Sequence, residues 1–250
     1  WIRQASPRLL GLEIGGGWAF RMVAPMGFPG EPMAIDRAPV GSSAWQRATI
    51  GLTGDFGGRI LTSGQNIYVD FPGHTAGGAP DAHSVFAHSA DGGSSWSNFD
   101  DPCGTVAGVE QDAVISAAGP GSVFEVLCVQ RIGARSVSLR ISYDGGRHFG
   151  VAHPTPIDAP MGGIQLAVPA AGVSVIATSG NNAPPGLIWS GNAGQSWQTV
   201  LTAPRAVQAA AINGPWLGFE DSQVGRFSYG SQSLWTSADQ GRTWRESKVG

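Results

Sequence analysis

Short apolar runs alternate along the chain with clusters of glycine, proline and small polar residues. Gly121-Ser-Val-Phe-Glu-Val-Leu-Cys-Val129 and Gly172-Val-Ser-Val-Ile-Ala-Thr178 are rich in β-branched residues, and no 3.6-residue period persists through them. Ser84–His88, Val137–Ile141, Gly186–Trp189 and Ser233–Thr236 are shorter and equally apolar or alternating. Such runs bounded by turn residues predict β-strands. Each of the last four is followed by an octet of one pattern, Ser-x-Asp/Asn-x-Gly-x-x-aromatic. The octets are Ser89-Ala-Asp91-Gly-Gly93-Ser-Ser-Trp96, Ser142-Tyr-Asp144-Gly-Gly146-Arg-His-Phe149, Ser190-Gly-Asn192-Ala-Gly194-Gln-Ser-Trp197 and Ser237-Ala-Asp239-Gln-Gly241-Arg-Thr-Trp244. Their starts are 53, 48 and 47 residues apart. A degenerate fifth copy is read at 36–45, with Asp36 as its acid and Trp45 as its aromatic residue.

Each octet position has a physical task. An Asp or Asn side chain can accept nearby backbone N–H groups and hold a tight turn. Glycine takes positive φ without a steric penalty. The serine hydroxyl closes the turn from its other side, and the aromatic ring buries against the hairpin. These side chains are therefore expected to be structural and not catalytic.

The octets resemble the Asp-box, or bacterial neuraminidase repeat, of sialidases, the sortilin family and the photosystem II assembly and stability factors. The resemblance implies an all-β chain folded as a β-propeller, each box joining strands three and four of a four-stranded blade. It covers residues 89–244 directly and 1–88 by extrapolation, with Asn192 and Phe149 as mild departures. One propeller domain over 1–250 follows, with about five blades at 1–50, 51–100, 101–150, 151–200 and 201–250. A count of six would need residues ahead of Trp1. The competing reading is a solenoid or sandwich with coincidental turns.

Composition narrows the function. Gly 38 and Pro 17 fit a turn-rich fold, and 42% hydrophobic residues are enough for a large core. Charged residues are 13% and the net charge is −3 with no basic cluster, which argues against a nucleic-acid partner. No run reaches the ~20 apolar residues of a membrane helix. Cys103 and Cys128 lack CxxC spacing, so zinc is not expected. Their preferred reading is one disulfide, which places the protein in the cell envelope or outside the cell; the other is two buried thiols. His74, Asp81, His83 and His88 crowd one stretch without a metal-ligand spacing, and neither a metal nor a cofactor is expected.

Ligand chemistry is expected on the loops opposite the octets, around the central channel. These are read at 71–82, 130–135, 179–185 and 220–230 between strands two and three. Between blades they are read at 53–58, 100–112, 155–163 and 203–207. Arg59, Arg131, Arg135, Arg205, Asp112 and Asp158 are the binding candidates there. Sialidases bind a carboxylate with three arginines and use a tyrosine nucleophile with a glutamate, so the resemblance offers an enzyme reading. Its candidates are Tyr229, Glu220, Arg226, Asp55 and Arg21; Glu110 is a second possible partner for Tyr229. Arg21 enters because Phe20–Pro25 is similar to the Arg-Ile-Pro signature near a sialidase N-terminus. The acidic pairs Asp100-Asp101, Glu220-Asp221 and Glu110/Asp112 are read as surface acidity, since neighbours in sequence seldom flank a glycosidic bond. The leading reading is a non-catalytic binding or assembly module for a protein or glycan. Gly15-Gly-Gly-Trp18-Ala-Phe20 and Gly214-Pro-Trp216-Leu-Gly-Phe219 resemble opening strands of the assembly factors, which bind partners through an Arg-containing face.

Overall fold

The computed structural model describes residues 8–24, 32–53, 59–71, 85–104, 111–117, 123–130, 135–158, 163–179, 186–202, 215–229 and 233–248. They form five antiparallel sheets, each of four strands in sequence order. Sheet 1 holds β1 (Arg8–Gly15), β2 (Trp18–Ala24), β3 (Pro32–Pro39) and β4 (Gln46–Thr53). Sheet 2 holds β5 (Arg59–Ser63), β6 (Asn66–Phe71), β7 (Val85–Ser89) and β8 (Ser97–Phe99). Sheet 3 holds β9 (Gln111–Ala117), β10 (Phe124–Gln130), β11 (Ser136–Ser142) and β12 (His153–Pro154). Sheet 4 holds β13 (Ile164–Ala170), β14 (Val173–Thr178), β15 (Gly186–Ser190) and β16 (Gln198–Thr202). Sheet 5 holds β17 (Pro215–Phe219), β18 (Gly225–Tyr229), β19 (Ser233–Ser237) and β20 (Arg245–Lys248). The first strands β1, β5, β9, β13 and β17 pack side by side in that order.

Sheet packing explains the pattern along each strand. β10 is buried from Phe124 to Val129 because sheet 3 is covered on both faces. Phe20, Met22 and Ile35 of sheet 1 meet Ile60, Ile67 and Val69 of sheet 2. Tyr68 and Phe86 of sheet 2 meet Phe124 and Val126 of sheet 3. Leu127, Val129 and Leu139 of sheet 3 meet Leu166, Val168 and Ile176 of sheet 4. Val175 and Leu187 of sheet 4 meet Phe227, Tyr229 and Trp235 of sheet 5. Each octet aromatic enters the seam with the preceding sheet: Trp96, Phe149, Trp197 and Trp244 pack on these four clusters in turn.

The octets form one repeated turn between strands three and four. In the first, Ser89 Oγ donates to Asp91 Oδ1 at 2.8 Å and accepts from Gly93 N at 2.8 Å. Asp91 Oδ1 also accepts from the N–H groups of Ser94 and Ser95, both at 2.9 Å. The fourth and fifth residues have positive φ: Gly92 68° and Gly93 81°, Gly145 77° and Gly146 89°, Ala193 56° and Gly194 77°, Gln240 61° and Gly241 82°. In the octets of sheets 2, 4 and 5 the fourth residue's N–H docks the turn on the hairpin between strands one and two of the same sheet. Gly92 N donates to Gln65 O, Ala193 N to Gly172 O, and Gln240 N to Gln223 O.

Sheet 1 departs from the expected degenerate copy. Asp36 lies inside β3, directly across from Arg21 of β2 and Arg47 of β4. The turn that follows uses Ser42 N to Pro39 O and Ala44 N to Ser42 Oγ, with no acid in it. Trp45 does hold the place just before β4 that Trp96, Trp197 and Trp244 hold before their fourth strands, and Arg21 stacks 4.2 Å from its ring centre.

Candidate functional site

The sheets give the molecule two ends. The turn end carries the octets and the hairpins joining strands one and two. The loop end carries the connections from strand two to strand three and from sheet to sheet. The loop end holds the starts of β5, β9, β11 and β13. That places Arg59, Asp112 and Arg135 at this end, with Asp158 in the connection leading to β13. Arg59, Arg135 and Asp158 are exposed there. Arg59 stands across from Asp70 in the β5–β6 pairing, and Asp112 across from Val129. Arg131, Arg205, Asp55, Glu110, His74, Asp81 and His83 lie outside the described residues.

The enzyme candidates among the described residues do not converge at one place. Of the segment 220–230, read as a loop between strands two and three, residues 220–229 are instead the β17–β18 hairpin followed by β18 itself. Glu220 and Arg226 therefore sit at the turn end, where Arg226 Nε donates to Glu220 Oε1 at 2.7 Å. Arg226 Nη1 also donates to Thr236 Oγ1 at 2.6 Å. Tyr229 is at the far end of β18, and its ring is 5% exposed within the apolar seam between sheets 4 and 5. Arg226 and Tyr229, three residues apart on one strand, point to opposite faces.

Arg21 belongs to an ion cluster in sheet 1. Arg21 Nε donates to Asp36 Oδ2 at 3.0 Å, and Arg47 Nε donates to Asp36 Oδ1 at 2.7 Å. Burial pushes the Asp36 carboxyl upward, but the guanidiniums of Arg47 and Arg21 outweigh it and hold the group below its ordinary value. Arg21 is thus committed to a cross-strand pair and does not converge with Arg226.

Cys103 and Cys128 form a disulfide across 25 residues. It ties the segment leaving sheet 2 to the loop-end half of β10. Asp101 folds that segment by accepting Cys103 N at 2.8 Å. His88 is buried, stacks on Tyr68 with ring centres 4.7 Å apart, and shares a 3.0 Å hydrogen bond through Nε2 with Asn66 Oδ1. Among the described residues, no three His, Cys, Asp or Glu side chains are grouped to hold a metal ion, and no helix is long and apolar enough to cross a membrane.

No protein-family model and no curated protein matches the sequence. Solved structures do match. The Trypanosoma rangeli sialidase in complex with the inhibitor DANA superposes with a TM-score of 0.58 at 14% identity, over 98% of this chain and 49% of that one. The GH74 xyloglucanase from Xanthomonas campestris gives 0.57 at 15% identity, over 93% and 36%. The Penicillium chrysogenum α-L-arabinanase complexed with arabinobiose gives 0.55 at 11% identity, over 97% and 81%. The fold is a β-propeller. Identities this low carry the propeller architecture alone, and the chain spans only 36% to 58% of the length of the first three structures matched, a Hadza microbial sialidase among them.

The propeller also contains polar groups that the octet pattern left unassigned. The seventh octet position carries a second side-chain bond in every copy. Ser95 Oγ donates to Asp91 Oδ2 at 2.6 Å and Thr243 Oγ1 to Asp239 Oδ2 at 2.7 Å. His148 Nδ1 lies 2.6 Å from Asp144 Oδ2, and Asn192 Nδ2 donates to Ser196 Oγ at 2.8 Å. The signal was present in the sequence, since Ser, His, Ser and Thr can all hydrogen-bond. These bonds hold the carboxyls of Asp91 and Asp144 well below the ordinary aspartate value, led by Ser95 and by His148 respectively.

Proposed function

We propose that this propeller is a non-catalytic binding or assembly module that takes a glycan or protein partner at the loop end, outside the cytosol. One observation carries the reading. Among the described residues, the charged candidates that share an end are Arg59, Arg135, Asp112 and Asp158, whereas the catalytic candidates are scattered over an apolar seam, the turn end and a sheet-1 ion cluster. Catalysis requires nucleophile, base and charge-stabilising groups within hydrogen-bond reach of one reacting atom. Binding requires only a rigid scaffold with a polar rim. The disulfide supports an oxidising compartment. The resemblance of the octets to Asp-boxes, and the glycan-acting proteins among the structural neighbours, favour a carbohydrate-related role by analogy.

The test is release of a fluorogenic sialic acid substrate by folded wild-type protein, with Tyr229→Phe and Arg226→Ala alongside. The proposal expects no release above blank in any of the three. Turnover by the wild type that disappears in both variants would replace this reading with a sialidase-type hydrolase.

A further inference from the structure

The seam between sheets 3 and 4 contains one carboxyl that no part of the preceding account uses. Glu125 is the second residue of β10 and is 0% exposed. Its side chain shares a face of sheet 3 with Leu127 and Val129, so it points at sheet 4. There Ser174 Oγ, also 0% exposed and near the start of β14, donates to Glu125 Oε2 at 2.7 Å. Glu125 Oε1 is buried without a hydrogen-bond partner. Its cross-strand neighbours are Ser116 of β9 and Ile141 of β11. Sheet 4 faces it with Ile164, Leu166, Val168, Ser174, Ile176 and Ile188, none of them charged. Two titratable residues hold register positions on this face of sheet 3 among the described residues: His153 of β12, across from Leu139 and beside the third octet at Gly194, and Asp112 of β9, across from Val129 at the loop end. Asp144 and Arg140 do not enter this seam face. A carboxylate here would be a buried charge with one hydroxyl donor and no cation, which is costly.

We propose that Glu125 makes the seam between sheets 3 and 4 a proton-operated lock, tightest in acid and eased as the proton is lost to solvent. Burial pushes the carboxyl up to about 8, and the Ser174 hydrogen bond opposes this only in part. Opening the seam to water returns the group towards its ordinary 4.5. The open state therefore sheds a proton that the closed state keeps throughout that interval. Opening becomes easier with each unit of pH between 4.5 and about 8, and levels off above, where the closed state has ionised too. The slope approaches about tenfold in the opening equilibrium per pH unit. The octet aspartates titrate below this window, because their folded values are depressed.

Amide hydrogen exchange, corrected for its intrinsic pH dependence, tests the lock on peptides covering 124–130 and 173–178, with β2 and β3 as internal reference. Wild-type protection of the seam peptides is expected to fall several-fold to about tenfold per unit from pH 5 to 8 and then to flatten. Glu125→Gln keeps an oxygen for Ser174 and cannot ionise, so its protection is expected to stay flat. Ser174→Ala removes the donor that favours the charged form, so its levelling point moves to higher pH; this variant keeps the carboxyl and serves even if the first folds poorly. Equal slopes in wild type and Glu125→Gln would overturn the proposal. So would a loss of protection shared equally by sheet 1, or a levelling point unmoved by Ser174→Ala.

Discussion

Replacing the fifth octet residue by alanine, one turn at a time, separates backbone strain from packing. Gly93, Gly146, Gly194 and Gly241 have φ between 77° and 89°, so an added Cβ meets the same left-handed penalty at each, about 1–2 kcal/mol. Their surroundings differ. A Cβ at Gly241 would lie 2.7 Å from Val175 Cγ2, and one at Gly194 2.8 Å from Leu139 Cδ2. At Gly93 the nearest atom is Phe20 Cε1 at 3.1 Å, and at Gly146 it is Phe124 Cδ1 at 3.4 Å. Val175 and Leu139 are fully buried in the seam with the preceding sheet, so they cannot swing aside, and overpacking adds about 1–3 kcal/mol at those two sites. For a chain of this size each kcal/mol lowers Tm by about 2–4 °C. Gly146→Ala is expected to lose about 4 °C, Gly93→Ala somewhat more, and Gly194→Ala and Gly241→Ala about 10 °C. Calorimetry on the four variants measures this directly. Four equal losses, or the largest loss at Gly146, would refute the docking of each turn on the sheet before it.

The fourth octet position makes the converse case: Ala193→Gly and Gln240→Gly relieve positive φ values of 56° and 61°, and each should raise Tm by about 1–4 °C in the same calorimeter. Cys103→Ser with Cys128→Ser opens a link spanning 25 residues and is expected to cost about 3 kcal/mol, read by urea unfolding of oxidised wild type against the double variant. The Asp91, Asp144 and Asp239 carboxyls are depressed in the fold, so their contribution is complete above the unfolded aspartate value near 4 and is lost as pH falls below it. Asp91→Asn should copy the bonding of Asn192 in the third octet, leaving neutral-pH stability nearly unchanged and flattening the fall in Tm between pH 4 and about 2.

The repeat was legible because its chemistry is local. Ser, Asp or Asn, and Gly act within one turn, and their spacing in sequence is their spacing in space. Strand three before each octet was legible for the same reason. The misplaced segment at 220–229 shows the opposite case. Glu220, Asp221 and Arg226 cluster as loop residues do, yet Gly225, Phe227 and Tyr229 alternate with Arg226 and Ser228 as a strand. The charge on Arg226 is absorbed by Glu220 and Thr236 across the sheet, a pairing that depends on register and not on sequence proximity. Asp36 misled in the same way, since its partners on β2 and β4 lie 15 and 11 residues away. Glu125 gave no sign at all: within Phe124–Val129 it reads as one polar residue in an apolar strand, and its significance comes from sheet 4 covering it.

The central claim is that ligands meet this propeller at the loop end. It is tested most directly by binding of the purified protein to an immobilised glycan array that includes sialylated and plant cell-wall oligosaccharides, with envelope protein extract as a parallel surface. Arg59→Ala and Arg135→Ala probe the loop end, and Arg226→Ala the turn end. The account predicts that whichever surface binds wild type loses signal about tenfold or more with the loop-end variants and keeps it with Arg226→Ala. Binding that survives both loop-end changes and is lost with Arg226→Ala would contradict it and move the site to the turn end.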